Sequence, residues 1–168
     1  GLGLGELLSS AAPGRVRKLH KRAAKSLEEN SHPGAGLHLR IAGHLELGGS
    51  GPRAFAHFLE AARHGAKDYS NQLSLEAYSR ALNLAPEGKR PEILRELGEL
   101  QLRCGRVQDA LDCLLEVEKL GPSRGQPGLW NSIARVLHRQ GRLDEAEEYF
   151  RRCLDLAEKD TSVMAKTC

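Results

Sequence analysis

Leu94, Leu97, Gly98, Gly105, Ala110 and Leu114 are matched, 36 residues further on, by Trp130, Ile133, Ala134, Gly141, Ala146 and Phe150. A recurrence within about 20–50 residues restricts a chain to stacked supersecondary units, because one unit cannot bury its apolar face alone. The matched residues sit at helical spacings on either side of a glycine, so the unit is a helix pair. Composition agrees: hydrophobic residues make up 40% but aromatics only 4%, with 18 glycines, which favours closely packed helices over a sheet core.

The spacing has a packing reason. Gly98, Ala134, Ala110 and Ala146 let helix axes approach, while Leu94, Leu114, Trp130 and Phe150 fill the space beside them. Gly105 and Gly141 fall between helices, where a left-handed residue ends one helix and turns the chain.

Apolar periodicity and punctuation predict about eight helices in four layers. Residues 1–13 form a flexible lead-in, and a single helical-repeat domain occupies 14–168. Pro13 suits the first turn of a helix over 14–29, with Val16, Leu19, Ala23 and Leu27 inward. A second helix runs from about 36 to 47, a third opens at Pro52 and weakens at Gly65, and a fourth spans about 69–84. Helices near 91–103 and 107–120 follow, then 128–139 and 143–158. Upstream, Ile41, Ala42, Gly49, Ala54, Phe58 and Ala61 keep the offsets of Leu97, Gly98, Gly105, Ala110, Leu114 and Val117. A competing register puts Phe58 and Ala62 in the first helix of a pair and Tyr78, Ala81 and Pro86 at the end of its second. Sequence alone does not choose between the two.

Segment 91–158 resembles tandem tetratricopeptide repeats, through its small residues Gly98 and Ala134, its glycine turns, Ala110 and Ala146, bulky Leu114 and Phe150, and Pro122 near the first repeat's end. The resemblance implies an all-α, right-handed superhelix of antiparallel helix pairs, with the clearest repeats at 91–124 and 127–160. The family period is 34, and the two extra residues fall in an extended linker around 123–128. RVRKLHKRAAKSLEE at 15–29, AHFLEAARHGAKDY at 56–69 and EAYSRALNLAP at 76–86 are similar to the helical sensor region of bacterial signalling ATPases of the STAND type, found in transcriptional activators and in kinase or nucleotidyl-cyclase fusions. That resemblance implies a bacterial, signal-transducing regulatory domain.

The repeat family's phasing implies a concave binding face built from the first helix of each pair. It presents Glu92, Arg95, Glu99, Leu102 and Arg103, then Asn131, Arg135, His138 and Arg139. The second group is mainly basic, which suits an acidic peptide or an intramolecular domain through bidentate Arg contacts. Chaperone-clamping members use a Lys/Asn pattern. Asn131 fits it, but Arg95 and Arg135 stand where asparagines belong, which argues against that ligand. The expected function is a non-catalytic protein-interaction or regulatory module; the alternative is a substrate-binding or scaffold region of a larger ATPase, kinase or cyclase.

The remaining residues exclude more than they assign. No nucleophile, base and orienting group can be proposed together, so an enzyme is not expected. GLGLGE at the start is neither a dinucleotide fingerprint nor a phosphate loop, and no cofactor is implied. Seven histidines include the pairs His38/His44 and His57/His64, but no HExxH or CxxC pair accompanies them, so no metal is expected. Arg15, Arg17, Lys18, Lys21, Arg22 and Lys25 form a basic run; with a net charge of +3 and no base-reading motif, a solvated helix face explains it better than nucleic acid. Cys104, Cys113, Cys153 and Cys168 lack the spacing of a disulfide scaffold, which points to a reducing, cytoplasmic home. No run approaches the roughly 18 apolar residues of a membrane span. The abrupt glycine start suggests a fragment of a longer chain, and a monomer is expected.

Overall fold

The computed structural model describes residues 13–29, 34–121 and 126–166, with side chains to 157. The expected lead-in up to residue 12, Pro122, the linker residues 123–125 and Cys168 lie outside these residues, while Pro13 belongs to the first helix. Eight α-helices follow in order: α1 (Pro13–Glu28), α2 (Ala35–Leu47), α3 (Gly51–Lys67), α4 (Asn71–Leu84), α5 (Arg90–Arg103), α6 (Val107–Leu120), α7 (Pro127–Arg139) and α8 (Leu143–Lys166), with a 3-10 turn at Glu87–Lys89. No strand occurs among the described residues, and the fold is an all-α helical repeat. The chain divides into two compact units, residues 1–86 and 87–168.

One turn is built four times. Gly49, Gly105 and Gly141 each hold φ at +75°, and Tyr69 holds +59°. After each, an amide reaches back over five residues: Ser50 to the Leu45 carbonyl (2.8 Å), Ser70 to Gly65 (2.8 Å), Arg106 to Gln101 (2.9 Å) and Arg142 to Leu137 (3.0 Å). This is the left-handed closure that satisfies the last carbonyls of a helix. The carbonyls of Ser50, Ser70, Arg106 and Arg142 then accept from Ala54, Ser74, Ala110 and Ala146, which start the next helices. Those four residues are buried because they sit where the paired helices meet.

Both sequence registers therefore correspond to real turns. Tyr69 stands 36 residues before Gly105, in phase with the downstream repeat, while Gly49 adds a turn of the same geometry out of phase. Helix α3 is thus tied tightly at both ends, to α2 and to α4. Proline opens α3, α5 and α7 in their first turns, and Pro91 and Pro127 keep the 36-residue step.

In the first unit Ala24, Ile41, Ala42, Leu45, Ala54, Phe58 and Ala81 form the buried cluster, with Leu27, Leu37 and Phe55 packed against it. The Arg80 guanidinium covers the Phe58 ring at 4.4 Å and pairs with Glu46. Gly65 does not weaken α3 as expected. It lies buried within the helix, at the approach of α4, where a Cβ would fall 2.5 Å from Ser74 Oγ. Leu19, expected inward, is 57% exposed, because the face of α1 that packs inward runs through Val16, His20, Ala23, Ala24 and Leu27.

In the second unit the core comes from Ile93, Leu94, Leu97, Leu114, Ile133 and Leu137 and their neighbours. A Cβ on Gly98 would meet Ala110, Cys113 and Leu114 at 3.4 Å, an ordinary contact distance, so α5 and α6 pack closely here with room left for a methyl group. Glu118 of α6 collects three partners: Trp130 Nε1 (3.1 Å) and Tyr149 Oη (2.8 Å) donate to it, and Arg152 lies 3.6 Å away. Burial and that carboxylate push the Tyr149 hydroxyl up to about 12. Helix α8 continues to Lys166, beyond the expected end at 158.

Candidate protein-binding cleft

Three helices of the second unit supply one open cleft of about 580 Å³, lined by Leu102, Arg103, Arg135, His138, Arg139 and Phe150. Leu102 and Arg103 close the last turn of α5, and Arg135, His138 and Arg139 occupy one side of α7. Leucines and isoleucines of the same helices face inward, so helical periodicity turns these cations outward. Arg139 Nη1 donates to the Leu102 carbonyl at 3.3 Å, which places a guanidinium at the negative end of α5.

Phe150 differs from its expected role. It matches Leu114 in the repeat, where a core-filling side chain is expected, but it is 37% exposed and lines the cleft. Helix α8 is the last of its unit, so no following helix covers that ring within the described residues. The cleft thereby combines three guanidiniums and an imidazole with two apolar side chains, and no carboxylate is among its described lining residues.

The other expected contact residues are spread along α5 and α7. Arg95 donates to Gln126 Oε1 at 2.8 Å, at the start of α7 and away from the cleft. Glu99 and Asn131 are exposed but do not line it, and Glu92 accepts from Lys89 Nζ at 3.1 Å. Of the nine residues expected on this face, the structure brings together Leu102, Arg103, Arg135, His138 and Arg139.

The thiols of Cys104, Cys113 and Cys153 are free and half-buried. Burial first, then Glu116, Asp112 and Asp109, push Cys113 up to about 11, which suppresses thiolate chemistry there. Among the described residues no group of three or more His, Cys, Asp or Glu has the geometry to hold a metal ion. No helix among them is long and apolar enough to cross a membrane. The basic run is exposed along α1, and Arg22 and Lys25 line a shallow depression with Ser26 and Glu29.

Residues 127–160 match the tetratricopeptide repeat family model. Among solved structures, MamA is similar with a TM-score of 0.57 at 18% identity, over 87% of this chain and 89% of that one. The nearly identical TPR-like repeats of a Podosopora anserina kinesin light chain align with a TM-score of 0.52 at 17% identity, over 89% of this chain and 98% of theirs. At these identities the likeness is one of fold. Comparison with curated proteins finds no match.

Proposed function

We propose that the chain is a non-catalytic protein-binding module whose second unit captures an acidic segment with an apolar side chain. The observation that carries this is the convergence of Arg103, Arg135, His138 and Arg139 on a cleft lined also by Leu102 and Phe150. Guanidiniums on an open surface recognise carboxylates in pairs and steer them in, while a half-exposed ring supplies the apolar area that makes residence longer. The tetratricopeptide match at 127–160 supports an interaction role, because stacked helix pairs offer extended surfaces and few enclosed pockets. The three free thiols support a reducing, cytoplasmic compartment.

The test is fluorescence anisotropy with a labelled peptide of alternating Asp and Glu around a central Leu, against the wild type and the R135E/R139E double variant. Expected are saturable binding that weakens with salt, and a loss of about tenfold or more in the variant with unchanged helical circular dichroism. Equal affinities, or no binding by the wild type, reject the cleft.

A further inference from the structure

Helix α2 meets both its neighbours through histidine pairs. His44 Nδ1 lies 2.9 Å from His20 Nδ1 on α1, and His38 Nδ1 lies 3.0 Å from His57 Nδ1 on α3. Two ring nitrogens at this distance hold one proton between them, so one ring donates and the other accepts. The next partner assigns the tautomers of the second pair. His57 Nε2 is 3.2 Å from Glu28 Oε1, so neutral His57 carries its proton on Nε2 and its Nδ1 accepts from His38 Nδ1–H.

The bond lasts only while one of the two facing nitrogens lacks a proton; protons on both His38 Nδ1 and His57 Nδ1 set two N–H groups face to face. His38 is only 9% exposed, and His64 stacks on it at 5.6 Å with its own Nε2 3.8 Å from Glu60 Oε2. Facing His38 are therefore His57, Glu60 and His64, all from α3; Glu28 of α1 touches His57, and Arg53 of α3 holds both Glu28 oxygens at 2.6 and 2.7 Å. His57 and His64 lie 3.2 and 3.8 Å from carboxylates, and no ion pair to His38 occurs among the described residues.

We propose that His38, His57 and His64 form a proton-operated latch between α2 and α3, closed while His38 is neutral and released when acid forces a proton onto it. Burial above all, then the charges of His57 and His64, hold His38 below the ordinary histidine value of 6.5, against the pull of Glu60. A depressed histidine is more readily protonated in the unfolded chain. Its contribution to stability is thus fully present above pH 6.5 and is lost as pH falls from there toward the folded-state value.

The experiment uses the full chain. Histidine ring signals are titrated by NMR, and urea unfolding is followed between about pH 5 and 8 for the wild type and His38→Gln. Expected are a His38 titration below 6.5 and a wild-type folding constant that falls with pH beneath it, with a shallower slope in H38Q. His38 titrating at or above 6.5, or equal slopes in the two proteins, overturns the latch. Should H38Q not fold, the wild-type ring titration decides alone.

Discussion

Tyr69 occupies a left-handed backbone position, φ 59°, that three other turns of this chain give to glycine. A side chain in that region crowds its own carbonyl and costs about 1 kcal/mol or more. The Tyr69 ring is 84% exposed, so it recovers little of that by packing. Tyr69→Gly is therefore expected to raise the urea midpoint, by about 1 kcal/mol of stability, while Gly141→Ala lowers it by a similar amount. The substitution also explains why the upstream repeat is hard to see. The 36-residue phase passes through position 69 intact, but the glycine that advertises the turn downstream is missing there. The histidine pairs are hidden for another reason: their members stand 24 and 19 residues apart, separations that carry no motif and acquire meaning only when α2 lies against its neighbours. Glu118 is equally silent in sequence, one acid among many on helix faces. Replacing it with Gln is expected to bring the Tyr149 hydroxyl part of the way down from about 12 toward 10, burial holding the rest, as read by ultraviolet titration.

At the level of the element, helix existence follows closely from periodicity and from Pro and Gly punctuation, because those signals act locally, and so does extent except at the unpunctuated end of α8. Depth within a helix is less legible. Gly98 reads as a small packing residue and Gly65 as a weakening of its helix, yet both lie buried inside helices against different neighbours. A Cβ on Gly98 meets three groups at ordinary contact distance, so Gly98→Ala is expected to be neutral or to stabilise by up to about 1 kcal/mol through helix propensity. A Cβ on Gly65 meets Ser74 Oγ at 2.5 Å, and that hydroxyl is buried and donates to the Ser70 carbonyl at 3.2 Å. It cannot turn aside without losing its partner, so Gly65→Ala is expected to destabilise by about 1–3 kcal/mol. Ala146→Leu, at the buried start of α8, belongs with Gly65→Ala. Equal urea midpoints for G65A and G98A would overturn this ranking. The cleft was legible to the same extent: α7's cations follow from its periodicity, whereas Phe150 joins them only because its helix is uncovered on that side.

For the molecule as a whole, division into two compact units confines the histidine chemistry to the first and the basic cleft to the second. Hydrogen exchange at pH 5.5 and 7.5, corrected for intrinsic rates, is expected to show α2 and α3 losing protection on acidification while α5 and α6 keep theirs. Uniform loss along the chain would contradict that separation. The four tight turns bear on another property. Each spends three residues between helices, one of them in a conformation that most side chains resist, and each places a buried residue four positions beyond its last residue. There is no slack in them to absorb added length. Longer connections, of six residues each, separate α1 from α2 and α6 from α7. A reporter domain or epitope spliced there adds length without displacing any of the four left-handed positions, whereas the same insert at Gly105 or Gly141 would part helices that have no other tether so short.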